Sequence, residues 1–219
     1  MKKNFIVTID GLSATGKGTL VRRLSEHYGW PAIGLGPVLR RIVYDIRNTN
    51  TDINDMAMVD KLLAAVDLES LTAPELQTEE IGNAAAAFCT GARADACYRF
   101  MRDFAGRFPH MLVEGRIAGR ILPDADVKFY LTASLEARAK RKMNVLRDIG
   151  KCEGVTLDGL TRDLMEREQT ESHLGELAIP DARTIRIDTN DLSSIEVEQF
   201  VVSEIDAALN NRKLVIVNA

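Results

Sequence analysis

The stretch Gly11-Leu12-Ser13-Ala14-Thr15-Gly16-Lys17-Gly18-Thr19 constrains this chain more than any other. It follows Phe5-Ile6-Val7-Thr8-Ile9, a short β-rich apolar run ending in Asp10, and it leads into a segment from Gly18 to Tyr28 with apolar residues at Leu20, Val21 and Leu24. The local order is strand, loop, helix. Gly11 and Gly16 bracket a four-residue insert, and Lys17 follows the second glycine. Such spacing lets the backbone curl so that successive N–H groups face inward around an anion, as in a loop that cradles the phosphates of a nucleoside triphosphate. Lys17 is placed to reach the β and γ oxygens, and the following helix adds the positive end of its dipole. The donor phosphates are therefore expected against Gly11, Ser13, Ala14, Thr15, Gly16, Lys17, Gly18 and Thr19.

Any phosphate must be met locally, because 28 Lys and Arg against 32 Asp and Glu leave a net charge of -4. A protein that neutralises many phosphates along a duplex carries a broad basic field instead. The 5% aromatic content argues against a stacking platform for single strands. Extended nucleic acid is thus an unexpected partner. Cys89, Cys97 and Cys152 make an odd count without a CxxC pair, and His27, His110 and His173 are scattered, so neither a disulfide framework nor a zinc site is suggested. Without a run of eighteen apolar residues, and with only Phe5 to Ile9 following the opening, the expectation is a soluble, cytoplasmic protein without a membrane partner.

Further buried-strand candidates are Met111-Leu112-Val113, Val127 to Leu131 and Thr184 to Ile187, continuous apolar runs of the kind found in a parallel sheet covered on both faces. Between them, Ser134 is placed to cap a helix from Leu135 to Leu146. Ser193 with Glu196 forms a capping-box signature for a helix through Ile195, Phe200, Val201, Ile205 and Leu209. Strands alternating with helices imply an α/β sheet with right-handed crossovers. Two stretches fall outside the alternation. Asn48 to Ala87 is helical in pattern, with Leu62, Leu63, Val66 and Leu68 as an apolar group, and reads as a cap beside the sheet or as ordinary surface helices. Gly150 to Gly175 is polar, acidic and punctuated by glycines, and reads as a hinged flap or again as surface helix. The apolar run Leu214 to Val217 reads as an edge strand.

The residue after Lys17 is Gly18, with the hydroxyl one place later at Thr19. GTPases and many ATPases use the first position to ligate magnesium directly. Here Mg²⁺ has to be held by the nucleotide and by water, with a carboxylate nearby. Ile9-Asp10-Gly11 through Gly16-Lys17-Gly18-Thr19-Leu20, together with Arg23-Leu24-Ser25-Glu26 and Gly29-Trp30, resembles the opening of the cytidylate kinase family. The resemblance resumes at Thr78 to Ala85, at Glu114-Gly115-Arg116, at Pro123 to Lys128, at Leu135 to Met143 and at Ile187-Asp188-Thr189 with Leu192-Ser193. It implies one P-loop kinase domain over residues 1–219, a parallel sheet with helices on both faces. The core is expected roughly at 1–33, 88–147 and 176–213, the acceptor-binding insert roughly at 34–87 and a short lid roughly at 148–175. The implied reaction moves the γ-phosphoryl of ATP, with Mg²⁺, to a small nucleotide acceptor of the CMP or dCMP type; oligomeric state is left open.

Carried over residue by residue, the resemblance gives Lys17 the transferred phosphoryl and Glu114 the orientation of magnesium-bound water. It gives the acceptor phosphate to Arg116, Arg40 and Arg93, with Arg167 from the lid, the adenine face to Arg138, and further donor contacts to Arg141 or Lys142. Leu35 replaces a polar residue of the family pattern, Asp95 an arginine and Ile117 an aspartate, and of several lid arginines only Arg167 survives in Glu166 to Leu174. Arg162 and Lys151 are the spare cations nearby. These departures keep open a P-loop kinase for a different small molecule, and an ATP-binding regulatory protein with weak catalysis.

Overall fold

The computed structural model describes residues 4–170 and 179–217. Five strands, β1 (Phe5–Gly11), β2 (Ala32–Gly34), β3 (His110–Gly115), β4 (Val127–Thr132) and β5 (Ile185–Asp188), form one sheet in the order β2-β3-β1-β4-β5 among the described residues. All pairings are parallel, with Ile9 opposite Glu114 and Phe129. Parallel strands need crossovers, which the helices supply: α1 (Lys17–Tyr28), α2 (Leu35–Asn48), α3 (Met56–Ala64), α4 (Glu79–Phe88), α5 (Gly91–Ala105), the short α6 (Ala118–Ile121), α7 (Leu135–Asp148), α8 (Leu157–Thr170) and α9 (Ser194–Val217).

Period-two alternation decides which helices lie on which face. Phe5, Val7 and Ile9 of β1, Leu112 of β3 and Val127, Phe129 and Leu131 of β4 pack with Leu20, Val21 and Leu24 of α1 and Val197, Val201 and Ile205 of α9. Ile6, Met111 and Val113 face the other way and join one continuous core with α2 through α6. Ile81, Ala85 and Phe88 of α4 belong to that same core. The stretch outside the strand-helix alternation is therefore packed into the sheet's own core. A third, smaller cluster, Ala139, Met143, Leu160 and Leu164, fastens α8 to α7.

The expected caps are present. Ala137 N donates to Ser134 Oγ at 3.2 Å, and Ser193 and Glu196 exchange the reciprocal bonds of the capping box at 2.8 and 3.2 Å. Two elements escape a local reading. β2 has three residues, too few for an alternation to show. In α2, buried Leu35, Val38, Leu39, Ile42, Val43 and Ile46 keep the helical period, but Gly36 and Pro37 at its start look like a break. Proline in a first turn forfeits no helical bond, and one glycine costs about 1 kcal/mol against roughly 1.5–3 kcal/mol for each buried aliphatic chain, so burial wins. The edge strand expected at Leu214 to Val217 is not formed: α9 continues through Val217. A four-residue apolar run carries no period that separates strand from helix, and here the preceding helix propagates.

Lys128 is buried on the side of β4 opposite the α1/α9 core, and its Nζ donates to Asp181 Oδ2 at 2.7 Å. That bond, before the burial it opposes, holds the Asp181 carboxyl down to about 2. A depressed carboxylate stabilises the fold above its unfolded pKa near 4 and loses that contribution as pH falls toward 2. Asp181→Asn, which leaves the Lys128 ammonium buried without its counter-charge, is expected to lower stability by about 2 kcal/mol at pH 7. Denaturant titrations of both proteins should give midpoints that differ from pH 7 down to pH 5 and converge between pH 4 and 2; a difference unchanged at pH 2 would show that the pair is not its source.

Candidate functional site

The site lies at the carboxyl edge of the sheet, where β1 runs into the loop 12–16, β3 into Arg116, β4 ends beyond Leu131 and β5 into Thr189. Gly11 has φ +148°, and a Cβ there would stand 2.3 Å from the Leu131 carbonyl oxygen, so the loop leaves β1 by a path open to glycine alone. Ala14 takes the left-handed conformation at φ 61°, which marks a curl held by its surroundings.

Those surroundings are mostly cationic side chains on the loop carbonyls. Lys17 Nζ donates to Leu12 O at 2.7 Å, as does the Thr15 hydroxyl at 2.8 Å. Arg138 Nη1 reaches Ser13 O at 3.4 Å and Arg141 Nη1 reaches Thr15 O at 3.4 Å. Arg141 also donates to Thr189 Oγ1 at 2.9 Å, tying the loop to the end of β5. Arg138 is 3% exposed; it donates to Ala133 O and is ion-paired with Glu168 of α8. It thus braces the loop, α7 and α8 together, and its guanidinium is committed to that brace.

Loop, strand ends and the neighbouring helices enclose a cavity of about 840 Å³. Lys17, Glu114, Arg116, Arg40, Arg167, Arg141 and Lys142 all line it. Burial pushes the Glu114 carboxyl above its ordinary value, and the Lys17 ammonium partly opposes that rise. Arg116 follows Glu114 through Gly115 on a turn fixed from below by Asp10, to which the sequence reading assigns no role. Both Asp10 oxygens accept backbone bonds at 2.7 Å, one from Ala118 N and one from Gly119 N. Burial raises the Asp10 carboxyl, while these two N–H groups, Lys17 and Lys128 pull it back. An acid at the end of an apolar strand, inside an otherwise buried run, is the signal that points to it.

On the opposite wall, Arg40 Nη1 donates to Leu76 O at 2.7 Å and Thr78 O at 3.1 Å, which aims its guanidinium along α4. A Cβ on Gly82 would lie 2.7 Å from Arg40 Nη2, so only glycine admits this placement. Burial lowers the proton affinity of Arg40 first, and the charge of Arg167 lowers it further. Both guanidinium groups border the cavity.

Some residues expected at the site stand apart from it. Arg93 does not border the cavity: its guanidinium donates to Phe88 O at 3.0 Å, Thr90 Oγ1 at 3.0 Å and Asn54 Oδ1 at 3.2 Å, clamping the turn between α4 and α5. Arg138 does not border it either, nor do the exposed Arg162 and Lys151. Lys142 borders it and pairs with Asp163 at 3.6 Å. Of the acidic stretch, residues 171–176, including His173, lie outside the described residues. No described helix is long and apolar enough to cross a membrane.

Comparison with known proteins gives a consistent pattern. Residues 7–207 match the family model described as cytidylate kinase. A cytidylate kinase of Caulobacter sp. (strain K31) is 32% identical over 198 residues, covering 89% of each chain. One of Rhizobium meliloti (strain 1021) is 32% identical over 213 residues, covering 95% of this chain and 99% of its own. Among solved structures, an uncharacterized protein from Eubacterium ventriosum ATCC 27560 superposes with a TM-score of 0.55 at 18% identity, covering 94% of this chain and 99% of that one. TT1252 from Thermus thermophilus gives 0.50 at 18% identity, covering 93% and 98%. These two are likenesses of fold.

The brace at Arg138 generates a direct expectation. Glu168→Ala removes the carboxylate from a guanidinium that is nearly fully buried, and should lower stability by about 2–3 kcal/mol, with Glu168→Gln recovering part of it. Chemical denaturation reads both; variants as stable as the parent would mean that the Arg138–Glu168 pair bears no weight.

Proposed function

The chain belongs to the cytidylate kinase family and is an ATP-dependent nucleoside monophosphate kinase, and from that premise we propose that its acceptor is CMP or dCMP, that Mg²⁺ accompanies the ATP, and that the cavity residues divide the work between donor and acceptor. The observation that carries this reading is the meeting of the phosphate loop with Glu114, Arg116, Arg40 and Arg167 around one cavity.

Phosphoryl transfer leaves the protein little covalent work: donor and acceptor must be aligned, developing charge neutralised and water kept out. In this reading the loop and Lys17 hold the donor phosphates, with Arg141 and Lys142 beside them. Lys17 gives up its bond to Leu12 O for a phosphate oxygen, a charge-assisted bond replacing a charge-dipole one. Arg40, Arg116 and Arg167 take the acceptor phosphate, whose negative charge relieves the repulsion between Arg40 and Arg167. The donor set suits Mg²⁺ carried by nucleotide. Among the described residues no group of three or more His, Cys, Asp or Glu could hold a metal, and Glu114 offers a carboxylate near Lys17 and Gly18. Mg²⁺ keeps several waters and uses one or two carboxylates with substrate phosphates; Glu114 would orient those waters, and the ion would supply charge to the transferring group.

A coupled assay of ADP release should show turnover that requires an acceptor and is supported by CMP and dCMP; no turnover with any ribo- or deoxynucleoside monophosphate would remove the proposal. Lys17→Ala should lower kcat by roughly 10²–10³-fold, the size of losing one preorganised charge at a transition state. Gly82→Ala should act on the other substrate: the new methyl displaces the Arg40 guanidinium, raising the KM for the acceptor about 5–10-fold, as for losing part of one charged hydrogen bond, with the KM for ATP unchanged. Initial rates with each substrate varied in turn separate the two effects.

A further inference from the structure

Behind the turn that carries Arg116 lies a buried polar seam that phosphate binding leaves unexplained. Thr8 and Asp10 of β1 stand in register with Lys128 and Tyr130 of β4. Gly119 closes over the seam: a Cβ there would lie 3.2 Å from Asp10 Oδ2, 3.3 Å from Thr8 Oγ1 and 3.5 Å from Lys128 Cδ. The lysine stem therefore runs past the carboxylate that holds the turn, and its ammonium goes on to Asp181. Asp10 is 6% exposed and Lys128 3%. Asp10 takes an N–H group on each oxygen, from Ala118 and from Gly119; an ionised carboxylate accepts at both oxygens, whereas a protonated one keeps one of them as a hydroxyl donor. Burial opposes the charge that this grip needs, and besides the two N–H groups the cations that support it are Lys17 and Lys128.

We propose that Lys128 is a positioning residue for phosphoryl transfer: as the fixed counter-charge of Asp10 it holds the turn at Ala118 and Gly119, and through that turn Arg116, while the donor phosphates are bound. This rests on the reading above in which Arg116 meets the acceptor phosphate. The two ammonium groups that act on Asp10 differ in what else they do. Lys17 leaves Leu12 O for the donor phosphates in that reading, so with ATP bound its charge is shared with phosphate oxygens and its support for Asp10 weakens. Lys128 does not border the cavity and is tied to Asp181, so its charge stays in place whether the cavity is empty or filled. A buried charge is screened little by water and salt, and it acts on its neighbours more strongly than one at the surface. What depends on it is the aim of Arg116. Both terminal nitrogens of that guanidinium are buried, so it has little room to swing and its placement follows the backbone that carries it. When the carboxylate loses its charge the turn loosens, and a misplaced arginine forfeits part of a charged hydrogen bond to the acceptor.

The test sets Lys128→Met, which keeps the stem and removes the charge, beside Asp181→Asn, which breaks the same ion pair and keeps the ammonium. With saturating Mg-ATP and CMP varied, Lys128→Met should raise the KM for CMP about 5–10-fold while the KM for ATP stays within about twofold. Asp181→Asn, although less stable, should keep the KM for CMP within about twofold of the parent. The double variant leaves neither charge without its partner and should retain the rise, which covers the case of a Lys128→Met protein that folds poorly. Amide hydrogen exchange needs no turnover. In Lys128→Met the amides of Ala118 and Gly119 should exchange about fivefold faster or more, relative to that of Val7 in the core of β1, in the free protein and more so with β,γ-methylene-ATP bound; in Asp181→Asn all of these amides should move together. A parent that turns over no nucleotide acceptor would tell against the kinase reading and leave exchange to decide the role of Lys128. Two single variants that raise both KM values in step with lost stability, or a Lys128→Met protein whose Ala118 and Gly119 exchange relative to Val7 matches the parent, would each overturn the proposal.

Discussion

The Asp10 carboxylate, buried at the end of β1 and filled by the N–H groups of Ala118 and Gly119, is the contact on which the site's geometry depends. β1 is the central strand, bonded to β3 on one side and β4 on the other. Its last residues therefore sit where three strand ends converge, and whatever they hold is held against a rigid frame. Gly11 opens the phosphate loop against the Leu131 carbonyl, and Asp10 pins the turn that carries Arg116. The loop after Gly11 and the turn that carries Arg116 are thus positioned by neighbouring residues of one strand. Burying a carboxylate is costly, and two short backbone bonds with two nearby ammonium groups are what offset it.

Positive charge at the site serves two different ends. Arg138 and Arg141 spend hydrogen bonds on the loop's carbonyl oxygens and on neighbouring strand ends, and so fix a backbone that otherwise has no regular structure. Arg40 and Arg167 border the cavity, Arg40 held by Leu76 O and Thr78 O, and the charge of Arg167 adds to burial in lowering the proton affinity of Arg40. Both uses of positive charge occur in a chain whose net charge is -4. Its acidic residues do not all oppose phosphate binding, since Glu168 neutralises the buried Arg138 and so anchors the helix that presents Arg167 from the adjacent position.

Much of the local chemistry is legible in the sequence. The loop spacing, the strand ahead of it, the two helix caps and the apolar runs of β3, β4 and β5 are all set by residues within a few positions of one another. What resists a local reading does so for identifiable reasons. β2 is too short to show a period, Gly36 and Pro37 disguise the start of α2, and Leu214 to Val217 is apolar without a direction. Side-chain placement resists most. Arg93 and Arg40 look alike as sequence positions, yet one clamps a turn and the other borders the cavity. The cause is that α4 and α5 bring Phe88 O, Thr90 and Asn54 within reach of the first, and Gly82 clears space for the second. Arg138, three residues from Arg141, is drawn inside by Glu168, thirty positions away.

By itself, then, the sequence determined a phosphate loop between a buried strand and a helix, an alternating α/β order and the family pattern those pieces make. Each of these is encoded by spacing along the chain. Tertiary structure alone decided which cations reach the cavity, that Asp10 holds the Arg116 turn, and that Leu35, Leu39, Ala85 and Ile117 line the same cavity as the loop. Those outcomes depend on where helices far apart in sequence pack against one sheet edge, and packing is a property of the whole core, which no window of neighbouring residues contains.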